Sequence, residues 1–266
     1  MRVVSLHPDV LVATSAVWQT TCTIVRGTVK GAPENDPDRP PAEAFVIDSP
    51  VLQSELDVLP TLLAQSGFPF TGLLATHADW DHLLGRLAFG ADAPLGVAET
   101  TAARLTAEPG RAAGRLREFD QQWYVERPAP LALGQVQALP VPGHLDVGDH
   151  TLELHPTGGH TADGMAVWIP WARILVAGDH LSPVELPMLS AGGSRSAYLA
   201  TLERLRPLVE EAAHVVPGHG AVLDGTRALA ILREDVAYLE DWTLPIARRD
   251  AEQLKIHARN QELAGA

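Results

Sequence analysis

The sequence predicts a mixed α/β (α+β) fold, with two β-sheets covered by helices in a single domain over residues 1–266. Three observations carry this. The N-terminal third holds short runs rich in Val and Thr, separated by turn residues and without helical periodicity. Strand runs return between residues 136 and 176 after an intervening helical stretch. The last third alternates helix, strand and helix. No internal repeat at a fixed period is present, which argues against a solenoid or propeller.

Taken in order, Arg2 to Ser5, Val10 to Ala13 and Thr21 to Val25 read as strands. Residues Gly31 to Pro41 (GAPENDPDRPP) form a polar, proline-heavy excursion expected to be a mobile surface loop, and Ala44 to Ile47 is the next strand. Asp57 is placed to cap a helix that tolerates Pro60 in its first turn, turns Leu59, Leu62 and Leu63 to one face and stops at Gly67. Leu73 to Ala75 reads as a buried strand running into THADWDH, with Leu83 to Phe89 helical after it. From Glu99 to Trp123 the pattern is helical with a break at Pro109 and Gly110, suited equally to covering a cleft or filling a core. Strands follow at Val136 to Leu139, Thr151 to Leu154, Met165 to Ile169 and Arg173 to Val176, the last two joined by a turn at Pro170, Trp171 and Ala172. Ser196 then opens a helix with Leu199, Leu202 and Leu205 inward. Val215 and Val216 form a strand, and Thr226 opens a helix with Leu229, Leu232, Val236 and Leu239 inward.

Composition narrows the functional classes. With 20 Lys+Arg against 33 Asp+Glu the formal charge is −13, which disfavours a phosphate-backbone binder, so no nucleic-acid partner is expected. At 46% hydrophobic and 20% charged residues the chain is globular rather than disordered. Its longest clean apolar run, Gly164 to Ala172, is about half of what a bilayer-spanning helix needs. The first twenty residues, interrupted by His7, Pro8 and Asp9, do not read as a signal peptide. The only cysteine, Cys22, cannot form an internal disulfide and is expected to be an inert strand residue. A cytoplasmic protein without a membrane partner is the resulting expectation.

Chemistry concentrates between the strand at Leu73 and the helix after it. His77-Ala78-Asp79-Trp80-Asp81-His82 puts four potential metal ligands within six residues, and crowding them without a cation would need neutralisation. Three further candidates sit in loops that follow strands: His160 in GGHTADG, Asp179 in AGDH and His219 in PGHG. Each is flanked by glycine, which lets the backbone turn sharply and bring the side chain to a shared rim.

In this order and with these flanks, the residues resemble the metallo-β-lactamase superfamily, whose pattern is H-x-H-x-D-H, then a His in a G-H-T loop, an Asp in a G-D loop and a His in a P-G-H-G loop. The resemblance spans most of the chain and covers Gly85 and the strand end Ile47 to Pro50. It implies a four-layer αββα sandwich with two divalent metal ions at one edge of the paired sheets. Carried over, His77 and His160 would hold the first ion, Asp81, His82 and His219 the second, and Asp179 would bridge both. One position departs from the pattern. Asp79 stands where the family has its second histidine, resembling the flavodiiron group, which places a Glu there and binds iron. A carboxylate is a harder ligand than imidazole, so the first site should shift from zinc toward iron or manganese.

Two cations about 3.5 Å apart share a water and lower its pKa to about 7. The expected activity is therefore a metal-dependent hydrolase that turns metal-bound hydroxide on a small ester, thioester, lactone or amide. Asp81 would orient the nucleophile and pass a proton to the leaving group. His180 stands either as a donor to a substrate oxygen or as a packed residue, and Trp18 and Trp80 either wall an apolar pocket or fill core. Tyr198, Trp123, Tyr124, Trp168 and Trp171 are expected to pack, and His7, His144, His150, His155, His214 and His257 carry no role. The competing classes are an iron-dependent oxidoreductase, favoured by Asp79 but lacking a flavin or dinucleotide fingerprint, and a degenerate metal-binding protein.

Overall fold

Side chains that alternate between two apolar environments along each strand sort the chain into layers. The structure, a computed structural model, describes residues 1–28 and 42–265, so the segment Gly31 to Pro41 lies outside the described residues. The first sheet contains β1 (Arg2–His7), β2 (Val10–Thr14), β3 (Thr21–Gly27), β4 (Glu43–Ile47), β5 (Phe70–Ala75), β6 (Leu95–Ala98) and β7 (Gln137–Leu139), neighbours in chain order. Pairing is antiparallel through β4 and parallel from β4 to β7, with Val46 opposite Leu73 and Ile47 opposite Leu74. The second sheet contains β8 (Gly143–Val147), β9 (His150–Pro156), β10 (Met165–Ile169), β11 (Ile174–Gly178), β12 (His214–Pro217) and β13 (Leu223–Asp224). There only β11 and β12 run parallel.

The helices are α1 (Gln53–Leu56), α2 (Leu59–Ser66), α3 (Gly85–Phe89), α4 (Glu99–Ala107), α5 (Arg111–Trp123), α6 (Arg195–Glu211), α7 (Gly225–Glu240) and α8 (Ala251–Gly265). Three apolar clusters separate four layers. Val10, Val12, Val25, Ile47 and Leu74 of the first sheet meet Leu152, Leu154, Met165, Val167 and Val176 of the second. Their sequence neighbours point the other way, as the two-residue period of a strand requires. Ile24, Val46, Leu73 and Ala75 pack under Leu59 and Leu63 of α2 and Leu116 of α5. Trp168, Leu175, Ala177 and Val215 pack under Leu202 and Leu205 of α6 and Ile231 and Leu239 of α7. The result is the four-layer αββα sandwich. Each fully buried aliphatic side chain contributes roughly 1.5–3 kcal/mol to holding the layers together.

Several local expectations are corrected. Asp57 does not cap α2; it follows α1 and accepts a hydrogen bond from Gln53 Nε2 (2.7 Å), while Val58 precedes α2 without a side-chain cap. Gly67 does end that helix, in the left-handed region at φ 71°. The cap of α6 is Ser194 rather than Ser196, accepting from the Ala197 amide at 3.2 Å, and that of α7 is Asp224 rather than Thr226, accepting from the Arg227 amide at 2.7 Å. Strands β6 and β8 and helix α8 are additional to the sequence reading. Trp123 and Tyr124, expected to pack, are 58% and 93% exposed, because α5 ends there with its apolar face already used by Ala112, Leu116 and Phe119. Trp168 and Tyr198 are buried and Cys22 lies in the core under α2, where burial raises its thiol pKa far beyond the physiological range.

Candidate metal centre

The parallel strands all deliver their C-terminal ends to one edge, and the candidate residues sit in the loops there. Backbone hydrogen bonds that join the sheets at that edge include Thr21 N to Gly218 O (2.8 Å), Gly220 N to Gln19 O (3.0 Å) and Met165 N to Thr76 O (2.7 Å). After β5 the chain turns through Thr76 into a short 3-10 turn, Trp80–His82. That turn is tied to the end of β4 by Asp48, which adopts φ 60°. Asp48 Oδ1 accepts from the Thr76 amide (2.8 Å), and Oδ2 accepts from Thr76 Oγ1 (2.9 Å) and His82 Nδ1 (3.0 Å).

All four candidate histidines are held in the same manner. His82 Nδ1 donates to Asp48, His160 Nδ1 to Met188 O (2.9 Å), His219 Nδ1 to Trp18 O (3.1 Å), and His77 Nδ1 lies 3.0 Å from Thr76 Oγ1. These partners assign the proton to Nδ1 and leave each Nε2 lone pair directed inward, which is the arrangement a metal-binding imidazole requires. The inward nitrogens meet the carboxylates in two groups. His77 and His160 Nε2 stand 3.5 and 3.4 Å from Asp179 Oδ2, and 3.8 and 3.3 Å from Asp79 Oδ2. His82 and His219 Nε2 stand 3.1 and 3.5 Å from Asp179 Oδ1, and 3.7 and 3.3 Å from Asp81 Oδ2. Asp179 therefore offers one oxygen to each group.

This donor set fits divalent cations. His77 Nε2, His82 Nε2 and Asp179 Oδ1 are buried without a hydrogen-bond partner among the described residues, a costly condition that a shared cation relieves. The trios His77, Asp79, His160 and Asp81, His82, His219 each present ligand atoms within 4.8 Å of one another. Left to themselves, the side chains neutralise one another with protons. Burial lowers His160, but the Asp79 hydrogen bond and the charges of Asp179 and Asp79 push it up to about 9. His82 and His219 rise well above the ordinary histidine value despite burial, chiefly through Asp179. Burial opposes ionisation of Asp179 and Asp79, yet the surrounding imidazoles hold both below the usual carboxylate range.

All seven sequence-predicted ligands meet here. His180 does not join them. It is 3% exposed, its ring lies 4.5 Å from Tyr198, and burial together with the His160 charge pushes it down to about 3, so it is a packed neutral ring rather than one facing the cavity. Three functional residues escaped the sequence reading. Asp48 orients His82; its only signal was the IDSP strand end. Asp163, in the same loop as His160, accepts from the Ala78 amide (2.9 Å), and Arg104 of α4 reaches the motif. Nothing in the local sequence around Arg104 signals that contact.

A cavity of about 890 Å³ opens over the cluster. Trp18, Trp80 and Phe119 form one wall, with ring centroids 5.0 to 5.6 Å apart. Trp18 and Trp80 thus line a pocket and contact the core residue Phe119 at once, which joins the two alternatives read from the sequence. Helices α4 and α5 likewise do both, burying Thr101 of α4 and Leu116 and Phe119 of α5 while turning Arg104 and Trp123 to the cavity. No helix among the described residues is long and apolar enough to cross a membrane.

Comparison with known proteins places this geometry in context. The family model described as the metallo-beta-lactamase superfamily matches residues 40–219. A metallo-beta-lactamase type 2 from Bacteroides fragilis is 28% identical over 124 residues, which is 42% of this chain and 49% of that protein. The chain thus spans about half the length of this curated relative. Among solved structures, a metallo-beta-lactamase from Pontibacter korlensis superimposes with a TM-score of 0.62 at 21% identity, covering 90% of this chain and 99% of that one. A protein crystallised in a di-iron-bound form gives 0.58 at 22% identity, covering 82% and 96%. At these identities the solved structures are similar in fold.

Proposed function

Because the chain belongs to the metallo-beta-lactamase superfamily, we propose that it is a metal-dependent hydrolase of a small ester, thioester, lactone or amide. The observation that supports this reading is the pair of inward-facing donor groups sharing Asp179 beneath the cavity. His77, Asp79 and His160 would hold one cation and Asp81, His82 and His219 the other, with Asp179 offering one oxygen to each group. Bound divalent ions supply Lewis acidity toward a carbonyl oxygen and lower the pKa of a coordinated water.

The protein's own groups do the rest. The Nδ1 hydrogen bonds of the four histidines fix ring orientation, so the donor set needs no rearrangement to bind. Asp81 lines the cavity with Oδ2 in the donor group beside His219, and its other carboxylate oxygen would accept a proton from water and return it to the leaving group. The Trp18 and Trp80 wall excludes water from one side and receives the apolar part of a substrate. A net charge of −13 leaves the hydrolysis of nucleic acids disfavoured.

The test is a panel of ester, lactone, thioester and amide substrates run with zinc, manganese and iron. Turnover lost on chelation, restored by one of these metals and reduced about 10²-fold or more in Asp81→Ala is the expected result. Protein purified without added metal that carries less than about half an equivalent of any transition metal overturns the reading. The Asp79 carboxylate favours a second reading, an iron-dependent oxidoreductase. Bound iron whose colour responds to reductant or oxygen, with no hydrolysis across the panel, would favour it.

A further inference from the structure

Asp79 stands as an anion where the family pattern has a neutral imidazole, and the structure gives that anion a counterion. Arg104 Nη2 donates to Asp79 Oδ1 at 2.7 Å, which leaves Oδ2 as the oxygen facing His160 at 3.3 Å and His77 at 3.8 Å. The guanidinium is itself anchored. Its Nη1 donates to Asp163 Oδ1 at 2.7 Å, and Asp163 Oδ2 accepts from the amide of Ala78, the residue between His77 and Asp79. Its Nε lies 3.5 Å from Glu108 Oε2 one helical turn on. Arg104 thus binds two carboxylates with separate arms of its fork, one of them 2% exposed.

We propose that Arg104 is a positioning residue for the first cation: it withholds one Asp79 oxygen, presents the other as a single ligand atom, and sets a positive charge against the added anion. Asp163 shares the same guanidinium, so Asp79, Asp163 and Arg104 together carry one net negative charge. A guanidinium beside a cation site is tolerable because a carboxylate stands between them. This inference rests on the metal-dependent reading above.

The test is a stepwise cobalt(II) titration of metal-stripped protein, following stoichiometry, the affinity of each step and the visible absorption of the bound ion. In the wild-type background Arg104→Met weakens binding of one of two ions by about 10- to 100-fold and changes its absorption, while the other step is unmoved. Arg104→Met combined with Asp163→Asn shows the same loss without leaving a buried carboxylate unpaired, which separates the effect from misfolding. In an Asp79→His background the same Arg104→Met change does not weaken that step, because the residue it serves is gone. Equal weakening in both backgrounds assigns Arg104 to general support of the fold and overturns the proposal. So do unchanged titrations, tighter binding in Arg104→Met, or a wild-type protein that binds only one ion. A wild-type protein that binds no cobalt overturns the metal reading itself, and this inference with it.

Discussion

Asp48 shows how much of the site depends on residues that never touch a metal. Its carboxylate receives three hydrogen bonds, two from Thr76 and one from His82, while its backbone is held at φ 60° by the Asp48 N to Leu74 O bond (2.8 Å). Replacing it by asparagine keeps the shape but puts an NH₂ group where one acceptor was, so His82 Nδ1 or Thr76 loses its partner. Asp48→Asn should weaken metal binding by about 10- to 100-fold and destabilise the fold by roughly 1–3 kcal/mol, read by competition with a chromophoric chelator and by urea unfolding. Affinity within a factor of two of wild type would show that His82 needs no such support. At this scale the sequence was informative for residues whose chemistry is local. His77, Asp79, Asp81 and His82 announce themselves within six positions. Arg104 was invisible because its contact with Asp79 spans 25 positions and depends on the path of α4.

Elements matter through the turns that end them. Gly218, between β12 and His219, is the case nearest the donor groups: a Cβ there would sit 2.0 Å from Asp179 Oδ1 and 3.0 Å from the His82 ring. Its requirement is steric, since the backbone of β12 must pass directly behind the carboxylate that faces both donor groups. Gly218→Ala should therefore leave the helix content of the circular dichroism spectrum intact but abolish binding of at least one metal equivalent, because the new methyl displaces the Asp179 carboxylate from the two donor groups. Full metal stoichiometry in this variant would place the site elsewhere. The same turn geometry explains what the sequence reading found and missed among elements. Runs such as Met165 to Ile169 were legible because every residue is apolar and buried. Strand β8 (GHLDV) was not, because its residues alternate with exposed His144 and Asp146 in only five positions, and β6 is a four-residue strand with Gly at its second place. Helix α8 carries a weakly amphipathic pattern and is fixed by polar contacts instead: Gln253 Oε1 accepts from the Leu186 amide (2.6 Å) and Asn260 Nδ2 donates to Pro187 O (2.7 Å).

For the whole molecule, the question is what holds the two sheets together at the edge where their loops converge. The inter-sheet core ends short of that edge, and beyond it lies a cluster of imidazoles and carboxylates that either protons or cations must neutralise. Protons do so only within a pH window. Histidines in the unfolded chain titrate near 6.5, whereas folded His160 holds its proton to about 9, and His82 and His219 are raised as well. Below pH 6.5 both states are protonated and the stabilisation from these groups is complete. As pH rises from 6.5 through 9 the unfolded chain has released protons that the folded cluster must still bind, and the stabilisation is lost. On the acid side two effects act together. The lowered Asp79 and Asp179 lose their contribution as pH falls below about 4, and His180, held neutral down to about 3, costs stability below 6.5 as its unfolded counterpart takes up a proton. Metal-stripped protein should therefore be most stable near pH 6 and weaken toward pH 9, at about 1.4 kcal/mol per pH unit for each proton retained. Cations take the place of those protons, so the loaded protein escapes this decline, and binding strengthens as competing protons become scarce. The difference in melting temperature between loaded and stripped protein should widen steadily from pH 6 to pH 9, as scanning calorimetry at each pH would record. A difference that stays constant or narrows over that range would mean that the cluster is not the point at which protons and metals compete to close the sandwich.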